Sequence, residues 1–308
     1  MDSHHSISRR ALLAIGIAAS TGVLGAIPLS AIKLGITTGE IDQDVAKAAE
    51  FLSSFGLHYA EVRSVWGQYN TAQPVQNIRE ARVILDAHQI RASILDTAFF
   101  RGPVPADETS LQKEWTLLDA AMDRADILGT KLLRIFAFMP KDGNTADPSV
   151  APRNHELPHQ AAERAKKRDF RLAIENLKGG YVQTGADSAK LLKSVPAANL
   201  GLTWDPNNAA SAGQQSFPDR YLDGYRLLNP ERIFHVHLRD FRHTAGDKVE
   251  WAALGTGEFD NLGQIEALRK DGFQGSFTLE THWRAPEGKA YSTGTSLKAL
   301  LKVIEKVS

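Results

Sequence analysis

The chain has 308 residues, 43% apolar and 23% charged, the composition of a soluble globular protein long enough to bury a substantial core. Its 36 Lys and Arg balance 36 Asp and Glu, and a formal net charge of zero argues against a broad electrostatic footprint for nucleic acid. There is no cysteine, which excludes disulfides, thiolate metal sites and cysteine nucleophiles.

The chain opens MDSHHSISRRALLAIGIAASTGVLGAIPLSAIKLG, with Arg9 and Arg10 ahead of an apolar, small-residue run from Ala11 to about Ile32. A basic head before an apolar stretch is the pattern of an export signal. Ser8-Arg9-Arg10-Ala11-Leu12-Leu13 resembles the twin-arginine type, which a receptor reads and which does not act as an anchor. The alternative is an uncleaved anchor of roughly 20 apolar residues, but Gly, Ser, Thr and Pro make this run weakly apolar for that role. The expectation is a leader over residues 1–32, removed near Ala26 or Ala31, with a periplasmic location and no stable membrane insertion afterwards. His4 and His5 lie in that leader and are given no role.

From Lys33 onward, short β-type runs alternate with helical patterns. Strands are expected over Lys33–Thr37, Tyr59–Ser64, Ile90–Leu95, Lys131–Ala137, Arg171–Glu175, Leu200–Trp204, Ile233–Leu238 and Ser276–Glu280. Helices are expected over Asp42–Phe55, Val75–Ala87, Leu111–Leu128, Leu157–Lys167, Asp187–Leu192, Tyr221–Leu227, Leu262–Lys270 and Ser296–Lys306. Ala46, Ala49, Leu52 and Phe55 recur at helical spacing before Gly56, and Leu118, Ala121, Ala125 and Leu128 do so before Gly129. Runs such as LLRIFAF and IFHVHL are apolar throughout, as strands covered on both faces are. Eight alternating units predict a single-domain α/β fold over 33–308, a parallel (β/α)8 TIM barrel. An open doubly wound sheet is the alternative, and no glycine-rich dinucleotide loop follows an early strand to support it.

In such barrels chemistry sits at the C-terminal ends of the strands. The fifth strand ends at Glu175 in AIEN and the sixth runs into Asp205 in WDPNN; the seventh carries His235 and His237 in FHVHLRD, and the eighth ends at Glu280 in FTLETHW. Four consecutive strands thus present a metal-competent side chain at one end. His237 is nearer that end than His235, which lies two residues deeper on the same side and has the place of an interior hydrogen-bonding residue. Three carboxylates and an imidazole favour Mn²⁺ above all, with Mg²⁺, Co²⁺ or Zn²⁺ as alternatives. For each acid taken singly a structural role competes, such as Asp205 capping the turn that follows it.

Together AIEN, WDPNN, HVHLRD and LGTGEFDNLGQIEALRKDGFQGSFTLETHW resemble the xylose-isomerase-like TIM-barrel family of sugar isomerases and epimerases, over nearly the whole chain from Lys33. The resemblance implies metal ligands at Glu175, Asp205, His237 and Glu280, with the two Glu also moving the proton, as in the family's ketose epimerases. The family often has a His three residues after the sixth-strand Asp; here Asn208 stands there. The chemistry implied is isomerisation or epimerisation of a keto sugar or related polyol through a metal-stabilised enediolate, with Glu175 and Glu280 as acid and base. A lyase, deglycosidase or dehydratase acting on a 3-keto sugar shares the first proton abstraction and is the alternative.

Around this core, Arg134 and Glu61 stand at strand ends to bind hydroxyls or to form a barrel ion pair. Trp66, Trp204 and Trp283 offer an aromatic wall for a sugar ring or simple packing. His282 is placed to orient substrate or water; Arg239 and Asn208 are further substrate candidates, and Asp240 a support for the His237 imidazole. Gly255 and Gly257 suggest a tight loop near the mouth, and with Glu258 and no Lys in it a non-phosphorylated substrate is favoured. His155 and His159 read as surface residues, and Asn176 as a residue that either steadies Glu175 or touches substrate. The expected partner is a small carbohydrate, with no nucleic acid, and a homo-oligomer is compatible. An abasic-site endonuclease would need further His ligands where the third and fourth strands end in SILDTAFF and RIFAFMP, which have none. An exported sugar-binding protein without catalysis would have no need of two inward Glu.

Overall fold

The computed structural model describes residues 32–141, 151–212, 224–246 and 248–307. The expected leader, with both cleavage points, and most of the expected helix Tyr221–Leu227 lie outside the described residues. The strands are β1 (Leu34–Thr37), β2 (Tyr59–Val62), β3 (Ser64–Val65), β4 (Gln68–Tyr69), β5 (Arg91–Asp96), β6 (Leu132–Ile135), β7 (Arg171–Glu175), β8 (Leu200–Trp204), β9 (Ile233–Leu238), β10 (Asp240–Thr244), β11 (Lys248–Ala252) and β12 (Ser276–Leu279). Eight of them close into a parallel barrel in the order β1-β2-β5-β6-β7-β8-β9-β12, as the alternation predicts. Every residue of β8 and β9 is buried, which is why these strands read as unbroken apolar runs.

The helices are α1 (Thr38–Ile41), α2 (Val45–Ser54), α3 (Val75–Ala87), α4 (Glu108–Leu128), α5 (Ala151–Lys166), α6 (Gly185–Ser194), α7 (Pro206–Ser211), α8 (Asn261–Lys270) and α9 (Lys289–Val307). On α4 the buried face is Trp115, Leu118, Ala121, Met122, Ala125 and Leu128. Asp107 and Ser110 cap that helix reciprocally, and Gly129, at φ 75°, ends it in a left-handed conformation. α5 starts six residues before the expected Leu157 and runs through Pro158, a residue that usually marks a helix's first turn.

Two antiparallel hairpins interrupt the alternation. β3 and β4 pair across Trp66 (φ 45°) and Gly67 (φ 80°), the two positive angles that a two-residue hairpin turn requires, so β2 ends at Val62 short of the expected Ser64. β10 and β11 form a five-pair ribbon directly after β9. Close packing pins the barrel at Gly201 on β8, where an added Cβ would lie 2.4 Å from the Arg232 carbonyl oxygen and 2.6 Å from the Phe234 ring. Gly201→Ala is therefore expected to lower stability by about 1–3 kcal/mol, read as a lower denaturant midpoint at unchanged m-value.

Candidate metal centre

Glu175 is the last residue of β7, His237 the fifth of β9, and Glu280 follows β12 directly. Asp205 follows β8 and caps α7, its Oδ1 accepting from the Asn208 amide at 2.8 Å. Asn176 locks that corner. Its Oδ1 accepts from the Asp205 N–H at 2.8 Å, and its Nδ2 donates to the Asp205 carbonyl at 2.8 Å and to the Gln183 carbonyl at 2.9 Å. Asn176 thus clamps the backbone of Asp205, a role different from both expected for it.

Glu175, Asp205, His237 and Glu280 converge, with one ligand atom of each within 4.8 Å of all the others. From His237 Nδ1, Glu280 Oε2 lies at 3.3 Å, Glu175 Oε1 at 3.6 Å and Asp205 Oδ2 at 3.7 Å. Nδ1 is fully buried yet has no hydrogen-bond partner. Adjacent ligand atoms around a divalent ion bound at about 2.0–2.2 Å are themselves about 3–3.5 Å apart, so one buried nitrogen facing three carboxylate oxygens at these spacings suits such an ion. The donor set of three oxygens and one imidazole nitrogen suits Mn²⁺, Mg²⁺, Co²⁺ or Zn²⁺.

Arginines frame the group. Arg134 pairs with Glu175 and, at 3.0 Å, with Asp96. Arg239 pairs with Asp205 and, at 3.3 Å, with Glu280. Arg63 bridges Glu280 (2.8 Å) and Glu40 (2.9 Å), and Arg284 reaches Glu40 at 2.5 Å. Five buried carboxylates (Glu40, Asp96, Glu175, Asp205, Glu280) thus meet four guanidiniums, and a sixth, Glu61, meets two imidazoles. The excess of two negative charges equals the charge of one divalent cation. Protons can take up the same excess. Burial disfavours a charged His237, but the Glu61 and Glu280 carboxylates outweigh it and hold the imidazole well above its ordinary value. Burial lifts Asp96 well above the carboxylate range although Arg134 opposes the shift. Glu175 goes the other way: burial would raise it, yet Arg134 and His237 bring it down to about 2. Glu280 is likewise held well below its ordinary value, with His282 and His237 prevailing over burial.

Glu61 is completely buried, with its oxygens on both His235 and His237, and Arg134 lies between Asp96 and Glu175; both form the ion-pairing arrangement. His235 has its expected interior place, with Nδ1 2.6 Å from Ser276 Oγ. Asn208 Nδ2 donates to Glu175 Oε1 at 3.2 Å and to the Asn176 carbonyl at 3.0 Å. His282 stands half-exposed at the mouth, its Nδ1 2.7 Å from Arg239 Nη1 and its Nε2 3.4 Å from Glu280 Oε1.

The expected support of His237 by Asp240 is not found. That carboxylate accepts from the backbone N–H groups of Phe241, Gly255, Gly257 and Phe259 at 2.9–3.0 Å, tying the β10–β11 ribbon to the loop after it. Trp204 belongs to the packing: it is fully buried, with Nε1 donating to Gln264. Trp66 packs against the apolar core, and Trp283 is half-buried beside Arg284. The aromatic ring next to the charged mouth is Trp251 of β11, 4.3 Å from the Arg239 guanidinium and 5.2 Å, edge-on, from the His282 ring. Sequence reading missed Trp251, Glu40, Arg63 and Arg284. A signal existed for Trp251 in the alternation of Val249 and Trp251 after Gly246, and for Arg63 in its place two residues beyond Glu61.

A closed parallel barrel with an acid-rich, metal-competent mouth defines the class. Within it, the xylose isomerase-like TIM barrel family matches residues 49–303, and the chain belongs to that family. No curated protein sequence matches the chain. Among solved structures, the IOLI protein with a bound zinc atom shares 18% identity at a TM-score of 0.72, over 90% of this chain and 99% of that one. D-allulose 3-epimerase from Methylomonas sp., in complex with D-allulose, shares 18% identity at a TM-score of 0.69, over 88% of this chain and 96% of that one. A xylose isomerase-like TIM barrel/4-hydroxyphenylpyruvate dioxygenase fusion protein shares 19% identity at 0.72 over 90% of this chain, which spans only 43% of the fusion's length. No helix among the described residues is long and apolar enough to cross a membrane.

The raised His237 gives a test of the site's chemistry. Because ligands must be deprotonated, adding Mn²⁺ to chelator-treated protein in weakly buffered solution near pH 7 should release protons as the ion binds. A pH-stat reading of no release would show that the ion binds elsewhere.

Proposed function

We propose that the protein is a divalent-metal-dependent isomerase or epimerase of a keto sugar or related polyol. The observation that carries this reading is the convergence of Glu175, Asp205, Glu280 and His237 Nδ1 at one barrel mouth. Membership of the xylose isomerase-like family and the likeness in fold to a D-allulose 3-epimerase support it. Mn²⁺ is the proposed ion, on the strength of the oxygen-rich donor set; the zinc of the IOLI structure belongs to that protein.

When bound, the ion polarises the adjacent oxygens of an α-hydroxy ketone and stabilises the enediolate left by a departing carbon-bound proton. Glu175 and Glu280 flank His237 Nδ1 at 3.6 and 3.3 Å, and both are held ionised, Glu175 with Arg134 among its causes. Each begins as a base, so one carboxylate accepts the substrate proton, and that group can return it on the same face. Return on the opposite face requires the other carboxylate first to take up a proton from solvent while the first gives its own up. Trp251 and Arg239 supply an apolar face and hydrogen-bond donors beside that point. A second reading, β-elimination from a 3-keto sugar, is favoured by one observation: the half-exposed His282 imidazole beside Glu280 is placed to protonate a leaving oxygen.

Glu280→Gln is expected to lower turnover by at least 10²-fold with the fold retained by circular dichroism, at a lower melting temperature because Arg63 and Arg239 each lose a charged partner. The decisive assay is deuterium wash-in at carbon across free and 3-oxidised sugars, with Mn²⁺ supplied. Exchange that survives both Glu280→Gln and exhaustive chelation would refute the mechanism.

We also propose that residues 1–32 direct the chain to the periplasm and that 33–308 form the mature domain, on the strength of Arg9-Arg10 and the weakly apolar run after them. Replacing both arginines by lysine should leave the protein in the cytoplasmic fraction; an unchanged periplasmic share on fractionation would overturn the assignment.

A further inference from the structure

The residue that decides how His237 faces the mouth lies beneath it, on the far side of the barrel. Glu61 on β2 and His237 on β9 belong to strands that do not neighbour each other in the barrel, yet His237 Nε2 lies 3.0 Å from Glu61 Oε2 and 3.2 Å from Oε1. His235 Nε2 lies 2.7 Å from the same Oε2, and Thr37 Oγ1 donates to Oε1 at 3.3 Å. Both rings and the carboxyl group are fully buried. An ionised carboxylate only accepts hydrogen bonds, so both imidazoles must present N–H at Nε2. In His235 this leaves Nδ1 to accept from the Ser276 hydroxyl at 2.6 Å. In His237 it leaves Nδ1 as the nitrogen that faces Glu175, Asp205 and Glu280, carrying a proton in the metal-free protein and free to donate its lone pair once an ion displaces that proton.

We infer that Glu61 is a positioning residue that selects His237 Nδ1 as the metal-binding nitrogen, by holding the Nε2 proton of His237 and of His235 at once. The inference rests on the reading of Glu175, Asp205, His237 and Glu280 as a metal site. A carboxylate behind a ligating imidazole fixes its tautomer and ring orientation and strengthens it as a donor. Glu61 differs from a simple pair in serving two histidines. A glutamine with its oxygen at the Oε2 position keeps one neutral acceptor for both rings, but puts an amide N–H donor in place of Oε1, 3.2 Å from His237 Nε2. The hold on His237 is weakened by the lost charge and by that opposed donor.

The test uses the whole mature protein with ¹⁵N-labelled histidine and zinc as the probe. In wild type, His237 should show a hydrogen-bonded, exchange-protected Nε2–H with and without zinc, and zinc should shift Nδ1 alone. Glu61→Gln should weaken zinc binding roughly 10–100-fold by competition with a chromophoric chelator and should displace the Nε2–H resonance. The inference is overturned if zinc-loaded wild type carries the His237 proton on Nδ1, or if Glu61→Gln leaves affinity and resonance unchanged. Should Glu61→Gln not fold, the wild-type spectrum alone decides. Should wild type bind no zinc, the metal reading falls, while the Nε2–H resonance of the zinc-free protein still decides whether Glu61 holds His237.

Discussion

Six carboxylates packed out of water at one end of a barrel repel one another, and the rest of the mouth is arranged around that repulsion. Burying an unpaired charge is costly, and breaking a buried pair by removing one partner costs about 3–5 kcal/mol. Arg134, Arg239 and Arg63 each bridge two acids, which spreads every guanidinium over a pair. The residual charge falls on the cluster around His237 Nδ1, where a divalent ion or protons can balance it. The site's affinity for a cation is thus a consequence of incomplete pairing among groups the fold holds in place.

The barrel was largely legible in the sequence because its signals are local. β7, β8 and β9 coincide residue for residue with the apolar runs that announced them, and the polar residues ending those runs are the ones that meet at the mouth. What could not be read are relations across the barrel. Arg63 and Glu280 are 217 residues apart, and Glu61 and His235 are 174 apart; no spacing rule connects them. Asn176 illustrates the limit. Its neighbour in sequence is Glu175, but its amide is used on Asp205, one strand over, because parallel strands place successive strand ends side by side. The β10–β11 ribbon was missed because the expectation of alternating parallel units leaves no room for an antiparallel insertion, although its polar and apolar residues alternate.

Two layers of control stack along the barrel axis. Below, Ser276, His235, Glu61 and His237 form a continuous hydrogen-bonded column, every member of it buried. Above, Arg239, His282 and Trp251 make the rim against which a substrate would rest. Asn208 joins the layers sideways, tying Glu175 to the turn that starts α7. The lower column sets how His237 is held, and the rim sets what surrounds Glu280 at the mouth.

Asp240 anchors that rim by a means that ignores side chains. It grips four backbone N–H groups, and Gly257 is the one contact where size matters, since a Cβ there would come within 2.2 Å of the carboxylate. Gly257 and Gly255, the latter at φ 83°, lie in the loop after the ribbon, while the exposed ribbon residues Arg242 and His243 take no part in the tether. The ribbon beside the mouth and the buried cluster of Glu175, Asp205, His237 and Glu280 are thus held by separate sets of contacts, the kind of separation by which one barrel scaffold comes to serve many functions.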